Sequence, residues 1–255
     1  MARMRGSPMF DLSGKLALVT GSGQGIGAGI ARHLAAQGAR VLVNDIVPEK
    51  ARRSADAILA QGHQAEPLPF DVVDRKAVVK ALSGRAIDIV VNNAGNAGKH
   101  IMVPKPFREM DPADWAPPIQ VNLDGVMNTT HAVLPGMCER GFGRLITIAS
   151  GAGVIGLSLG VAPYGAAKGA GIAFMRHMAI ENAAYGVTAN SLALGLMEMA
   201  EVHDRSVTAK MAKQIPRKRL GTGDDVGPAC VWLASDEATW VTGQTIHING
   251  GQVTS

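Results

Sequence analysis

Residues Lys15 to Gly27 read Lys-Leu-Ala-Leu-Val-Thr-Gly-Ser-Gly-Gln-Gly-Ile-Gly. An apolar run of strand length enters a glycine-rich turn and leaves it in an Ala-rich stretch of helical character. That order of strand, tight turn and helix is the opening unit of a parallel α/β sheet, and no other stretch narrows the fold as far. Glycines in such a turn let backbone N–H groups and the helix N-terminus approach a pyrophosphate without obstruction by Cβ atoms. Two registers compete: Gly21, Gly25 and Gly27 as Gly-x-x-x-Gly-x-Gly, or Gly23, Gly25 and Ala28 as Gly-x-Gly-x-x-Ala. The strand ends at Thr20–Gly21, which favours the first and makes Gly21, Ser22, Gln24, Gly25, Ile26 and Gly27 the candidate dinucleotide cradle.

Further apolar runs bounded by turn residues recur at Arg40 to Asn44, Ala65 to Phe70, Ile87 to Asn92, Arg144 to Ala149, Val187 to Leu192 and Thr245 to Ile248. Helix-like stretches separate nearly all of them, and several runs are continuously apolar, as in strands buried on both faces of a sheet. The expected fold is α/β: one doubly wound (Rossmann) domain over residues 12–255, with a parallel sheet of about seven strands and right-handed crossovers. Apolar residues make up 47% of the chain and charged residues 18%, enough for a large core and too apolar for disorder. Residues 1–11 read as a flexible tail. The helix between Asp74 and Gly84 has room for at most about three turns. The span Leu194 to Pro216 shows no period throughout and reads as a mobile substrate loop.

Several classes of function are set aside by the same residues. Polar or glycine residues interrupt every apolar stretch before the ~20 residues of a bilayer span. No apolar run of secretory length follows the basic start, so a cytoplasmic protein is expected. Cys138 and Cys230 have no neighbours at metal-ligand spacing, and no metal is expected. The net charge of +4 comes from scattered Lys and Arg, which argues against nucleic acid as a partner.

Asp45 ends the second strand about 20 residues beyond the glycine turn, the offset of a carboxylate that accepts hydrogen bonds from the adenosine ribose. Its charge opposes the additional phosphate of NADP, and Ser22, Gly23 and Gln24 supply no cation to offset it. NAD is therefore the expected cofactor.

Tyr164 and Lys168 stand four residues apart after Pro163, on one face of a helix. A phenol can take the hydroxyl proton of a secondary alcohol as its carbinol hydride leaves, provided its pKa falls. A unit positive charge ~4 Å away at an effective dielectric of ~20 contributes ~4 kcal/mol, or ~3 pKa units, and a pull of that size from Lys168 is expected here. Ser150 follows the strand Leu145 to Ala149, at the sheet edge where such folds expose their ligand crevice. The other tyrosine, Tyr185, has Ala189 four residues on and lacks a cation.

Taken in order, Thr20-Gly-Ser-Gly-Gln-Gly-Ile-Gly27, Asp71-Val72, Asn92-Asn93-Ala94-Gly95, Asn122, Ser150, Tyr164-x-x-x-Lys168, Thr242-Gly-Gln and Asn249-Gly-Gly resemble the short-chain dehydrogenase/reductase family from Leu12 to Gly251. The resemblance implies a catalytic set of Ser150, Tyr164, Lys168 and Asn122, with Asn122 holding a relay water and Lys168 bonding the nicotinamide ribose. It also implies that Asp71 and Val72 flank the adenine and that Asn93, Ala94 and Gly95 shape the cofactor site. Gly195 and backbone groups near Met197 would meet the nicotinamide, and the assembly would be a homotetramer or homodimer. Two departures stand out. Leu194-Gly195-Leu-Met-Glu-Met199 replaces the usual Pro-Gly with its following Thr, and the helix after Asp71 is short. Val154, Ile155, Leu157, Leu159 and Val161, with Met197, Met199 and Met211, suggest an apolar pocket. The expected activity is an NAD-dependent interconversion of an apolar secondary alcohol and its ketone, a 3-hydroxyacyl or 3-oxoacyl thioester or a cyclic alcohol being candidate substrates. The alternative, prompted by Leu194 and Met199, is an NAD(H)-binding sensor or scaffold with little turnover.

Overall fold

The computed structural model describes residues 9–96, 98, 102, 104–198 and 205–254. Seven strands pair in one parallel sheet: β1 (Leu16–Val19), β2 (Arg40–Val43), β3 (Ala65–Pro67), β4 (Ile89–Asn92), β5 (Gly143–Ser150), β6 (Val187–Leu194) and β7 (Thr245–Ile248). Their order is β3-β2-β1-β4-β5-β6-β7. The chain winds outward from β1, returns to pair β4 against β1, and winds the other way. That reversal opens a crevice beyond the C-terminal ends of β1 and β4, where an open α/β sheet takes its ligand.

The helices are α1 (Gly25–Ala36), α2 (Pro48–Leu59), α3 (Arg75–Leu82), α4 (Pro112–Ile119), α5 (Gly125–Arg140), α6 (Ala162–Asn182), α7 (Arg205–Lys213) and α8 (Gly223–Ala234). Alternation along the strands divides the core. Ala17, Val19, Val41, Val43, Ile89, Val91, Ile146 and Ile148 pack with α1, α2 and α8. Leu18, Leu42, Val90 and Leu145 pack on the opposite face with Val78 of α3, Val133 and Met137 of α5, and Met175 of α6. Each large aliphatic side chain buried this way contributes about 1.5–3 kcal/mol, so the sheet is a stiff platform for the loops at its C-terminal edge.

The expected strands are present with shifted ends. β3 stops at Pro67 instead of reaching Phe70, because Pro67 and Pro69 have no N–H to give a ladder, which suits them only to the sheet edge. β6 runs two residues past Leu192, to Leu194. The short helix after Asp71 is α3, eight residues long, capped by Asp74, whose carboxylate accepts from the N–H groups of Lys76 and Ala77. The described parts of the span 194–216 carry regular structure. Leu194 ends β6, Met197 bridges Gly221 in parallel, and Arg205–Lys213 form α7. Among the described residues, no helix is long and apolar enough to cross a membrane.

Candidate active site

The glycine turn follows β1 as expected. Gly21 and Gly25 have φ of +60° and +56°, a region that L side chains adopt at a cost. A Cβ on Gly21 would stand 2.8 Å from the Ala94 Cα, so the β1 and β4 turns touch through bare backbone. Of the two competing registers, the positive φ at Gly21 and its absence at Gly23 favour the one that begins at Gly21. Gly23 is confined for a separate reason: its Cβ would meet the Asp45 Oδ2 at 2.5 Å. N-cap Gln24 makes no capping side-chain bond to the first turn of α1, and that turn contains no acidic residue. The dipole at Ile26 and Gly27 thus faces no protein carboxylate in its own first turn, as an anion site requires. Ser22 is fully buried and turns its hydroxyl inward, donating to the Val19 carbonyl at 2.7 Å.

Asp45 is 8% exposed at the end of β2. Its Oδ2 accepts from the Gly23 N–H at 3.2 Å and its Oδ1 from the Val47 N–H at 2.9 Å. Each carboxylate oxygen retains a second acceptor site, so the group is fixed in place and still able to receive ribose hydroxyls. The stem of Lys50 lies against the same Gly23, its Cβ 2.6 Å from an added Cβ there. Lys50 thus reaches the turn from α2, outside residues 22–24.

Two further residues absent from the expected set hold the crevice together. Thr20 Oγ1 accepts from the N–H groups of Asn93 and Ala94, both at 3.0 Å, while Asn93 Nδ2 donates to the carbonyls of Thr20 and Gly21 at 2.9 Å. Asn44, buried at the end of β2, donates to the Leu68 and Phe70 carbonyls at 3.1 and 3.0 Å. A polar residue terminating an apolar strand was the available signal for both. Asp71 Oδ1 accepts from the Val73 N–H, and Val72 is buried where a Cβ on Gly125 would strike its Cγ2 at 2.7 Å. Val72, Ala94 and Val121 line one small apolar recess with Thr20.

Ser150 ends β5 and accepts from the Ala152 N–H at 3.2 Å, opening a 3₁₀ turn over Gly151–Gly153. α6 packs directly on that turn: a Cβ on Gly153 would lie 2.7 Å from the Gly169 nitrogen and 2.8 Å from the Lys168 carbonyl carbon. This close approach sets the Tyr164 phenol beside Ser150, whose hydroxyl favours the phenolate. Lys168, 5% exposed, donates to the Ile148 carbonyl at 2.6 Å, and its Nζ stands 5.7 Å from the Tyr164 ring centroid. Burial lowers the Lys168 ammonium to about 8.

The expected downward pull on Tyr164 is not what the protein alone produces. Burial raises the phenol above its usual value, and the Ser150 hydroxyl opposes that only in part. Lys168 is engaged on a strand carbonyl, and loss of solvent dominates at the phenol.

Asn122 sits in a π-helical turn, Gln120–Asp124, between α4 and α5 and behind Pro117 and Pro118. Such wide turns cluster at functional sites. Its Nδ2 donates to the carbonyls of Asn96 and Pro118, both at 2.7 Å, leaving its Oδ1 buried without a partner. A point one Cβ beyond Gly95 lies 3.0 Å from that Oδ1 and 3.3 Å from Lys168 Nζ. Gly95 thus keeps open the space between the two groups, and the four expected catalytic residues surround one corner of the crevice.

Beyond β6, where the nicotinamide contact is expected, the Gly195 N–H donates to the Ile248 carbonyl, and the Leu196 N–H to Gln252 Oε1 at 2.7 Å. The Glu198 N–H bonds the Gly221 carbonyl, and the Gly221 N–H bonds that of Leu196. Met197, between these rungs, directs its own backbone N–H and carbonyl away from Gly221. Met199 lies outside the described residues. Val154, Ile155, Leu157 and Leu159 are between 40% and 52% exposed, an apolar rim along the loop that leads to Tyr164.

A family model described as enoyl-(acyl carrier protein) reductase matches residues 21–252. Nodulation protein G of Rhizobium sp. (strain N33) is 40% identical over 252 residues, covering 95% of this chain and 98% of the relative. A solved gluconate 5-dehydrogenase from Burkholderia cenocepacia J2315, in complex with NADP and tartrate, superposes with a TM-score of 0.86 at 38% identity, over 95% of this chain and 96% of that one. A 3-oxoacyl-[acyl-carrier protein] reductase with bound NAD from Brucella melitensis superposes with a TM-score of 0.89 at 32% identity, over 100% and 99% of the two chains.

Proposed function

The chain belongs to the short-chain dehydrogenase/reductase family of oxidoreductases acting on CH–OH groups, and we propose that within it this member interconverts an apolar secondary alcohol and its ketone with NAD. The observation that carries the reading is the single corner formed by Ser150, Tyr164, Lys168 and Asn122, in which a phenol beside a serine hydroxyl adjoins a buried ammonium.

The nicotinamide cofactor fits the residues present. The turn at Gly21 and Gly25 is free of side chains, the first turn of α1 has no acidic residue or side-chain cap, and the Asp45 carboxylate is fixed with acceptor capacity to spare. Gly21, Ser22, Gln24, Gly25, Ile26 and Gly27 would hold the pyrophosphate; Asp45 the adenosine ribose; Asp71, Val72, Asn93, Ala94 and Gly95 the adenine and central wall; Lys168, Gly195 and Met197 the nicotinamide riboside. When bound, the group supplies the two-electron acceptor or donor for hydride. The chain's residues do the rest. Ser150 binds the substrate oxygen, Tyr164 takes or gives its proton, and Lys168 holds positive charge beside the phenolate so formed. Burial lifts Tyr164 in the protein alone; the oxidised cofactor, when bound, would add the positive charge of its nicotinamide, which favours the phenolate.

Among solved relatives one contains NAD and three contain NADP; Asp45 supports NAD here, by charge and by position. The exposed apolar rim at Val154, Ile155, Leu157 and Leu159 supports an apolar substrate, such as an acyl thioester or cyclic alcohol, over a polyhydroxylated acid. Assembly as a homotetramer or homodimer belongs to the same reading, with exposed Ile180 and Trp240 as candidate contact residues, and the unpaired thiols of Cys138 and Cys230 suit a cytoplasmic setting.

A panel of secondary alcohols and ketones assayed with NAD and NADP side by side tests the reading. Turnover of apolar members with NAD, lost by at least about 100-fold in Tyr164→Phe, is expected. A Tyr164→Phe variant as active as the parent would sink it.

A further inference from the structure

After β7 the chain makes a turn that grips two other stretches. Asn249 locks the turn: its Oδ1 accepts from the Gly251 N–H and its Nδ2 donates to the Val253 carbonyl, both at 2.9 Å, and its carbonyl accepts from the Gln252 N–H at 3.2 Å. Gly250 and Gly251 have φ of +62° and +89°, angles that glycine takes readily and L side chains do not. A Cβ on Gly250 would lie 2.8 Å from Ile215 Cγ2, and one on Gly251 3.2 Å from Pro216. The Gly250 carbonyl also accepts from the Arg217 N–H at 3.2 Å. One side of the turn is therefore pressed against the stretch that follows α7, where Ile215 is buried.

The other side reaches the catalytic corner. Ser150 ends β5 directly beside Leu194 of β6, so the chain leaving Leu194 starts next to the catalytic serine. Its next two residues meet Gln252, which is half-buried. Gln252 Oε1 accepts from the Leu196 N–H at 2.7 Å. A Cβ on Gly195 would collide with that same oxygen and stand 2.9 Å from the Asn249 Cα. The N–H groups of Gly195 and Glu198 bond backbone carbonyls, those of Ile248 and Gly221. That of Leu196 is accepted by a side chain, so one substitution can remove its partner without touching the main chain.

We propose that Gln252 is a positioning residue for the nicotinamide end of the cofactor site. By holding Leu196 it fixes Gly195 and the Met197 backbone beside Ser150, and the Asn249 turn ties that position to residues 215–217. The inference rests on the reading above, in which Gly195 and Met197 meet the nicotinamide. Gln252 acts through the backbone it holds. The adenosine half of the site, carried by the turns after β1 and β2, does not depend on it.

The test compares Gln252→Leu, which keeps the size of the side chain and removes the acceptor, with Gln252→Glu, which keeps an acceptor oxygen. Both are made in the full-length protein, and affinity is measured for NADH and for ADP-ribose, which lacks only the nicotinamide. Gln252→Leu should raise the Kd for NADH about tenfold, as loss of one positioning hydrogen bond implies, while its Kd for ADP-ribose stays at the parent's value. Gln252→Glu should bind both as the parent does. In the cofactor-free protein the Leu196 amide should exchange its hydrogen faster in Gln252→Leu and at the parent's rate in Gln252→Glu. At saturating NAD, kcat of Gln252→Leu should fall about tenfold with the KM for the alcohol unchanged. Equal losses of NADH and ADP-ribose affinity overturn the proposal, since they report general damage to the fold. Parent-like NADH binding or Leu196 exchange in Gln252→Leu, or a Gln252→Glu variant as weak as Gln252→Leu, also overturns it and leaves the oxidoreductase reading intact. A parent that binds no NADH overturns both.

Discussion

Lys168 carries a burden that can be measured without substrate. Its ammonium is buried and held at about 8 against an ordinary 10.5, through loss of solvent. That difference corresponds to about 3 kcal/mol of preference for the neutral form in the folded state. Below pH 8 both the folded and unfolded chains hold the proton, and the full penalty applies. Between about pH 8 and 10.5 the unfolded chain binds more protons than the folded one, so stability rises with pH and the penalty fades. Lys168→Met keeps an unbranched side chain of similar reach and removes the charge. It also removes the bond to the Ile148 carbonyl, at a cost of about 1 kcal/mol. The net gain of about 2 kcal/mol should raise the Tm of the cofactor-free variant by roughly 4–8 °C at pH 7 for a domain of this size. Thermal unfolding of parent and variant from pH 6.5 to 9.5 reads both the gap and its decline above pH 8. A variant less stable than the parent at pH 7, or a gap that does not change with pH, refutes the reasoning. The same variant should be inactive, because a residue that destabilises the fold is retained here for the charge it holds beside Tyr164.

Asp45→Asn should move cofactor preference towards NADP. A phosphate of about two charges ~5 Å from the carboxylate meets a repulsion of about 2 kcal/mol even at the dielectric of water, so the ratio of kcat/KM for NADP over NAD should rise at least about 30-fold, with Lys50 beside Gly23 available to the added phosphate. One of the N–H groups of Gly23 and Val47 loses its acceptor, and a Tm about 2–4 °C lower should accompany the switch; an unchanged ratio would remove Asp45 from the specificity argument. Gly153→Ala should be far more damaging than a methyl normally is, because its Cβ meets the backbone of Lys168 and Gly169 below 3 Å. With α6 displaced, kcat should fall about 100-fold while NADH affinity, read by fluorescence titration, changes little; parent-like kcat would mean that the turn and helix adjust freely.

The parts of this site legible in the sequence are those where the chain is its own context. Strand, glycine turn and helix are contiguous at Lys15 to Gly27, and Tyr164 and Lys168 share a helix face by spacing alone. What stayed hidden depends on residues far apart in the chain meeting across the sheet. The carbonyls held by Asn44 lie 24 and 26 residues downstream. Lys50 approaches Gly23 only because α2 folds back over the turn. The upward shift of Tyr164 follows from burial that no local spacing encodes. The substrate-loop span shows the same limit: α7 has a short polar sequence, and the rungs that order Leu196 to Glu198 come from Gly221 and Gln252.

Those rungs bear on the departure at Leu194. A proline there would fix the backbone leading into Gly195 by its ring. In this chain the same segment is held from outside, by Ile248 on one side, Gln252 at its start and Gly221 along its length. The bare Cα of Gly195 is required for that arrangement, since a Cβ would lie 2.3 Å from Gln252 Oε1 and 2.9 Å from the Asn249 Cα. Rigidity that a proline would supply from within one residue is thus distributed over three partners near the C-terminus, and the Met197 backbone is presented from a fixed frame. Loss of the Gln252 acceptor would free the Leu196 N–H and loosen this frame while leaving the glycine turn, Asp45 and the adenosine half of the crevice as they are. On the proposed reading the two ends of the cofactor site would rest on separate supports: the adenosine end on the β1 and β2 turns, the nicotinamide end on a segment hydrogen-bonded to Ile248, Gly221 and Gln252.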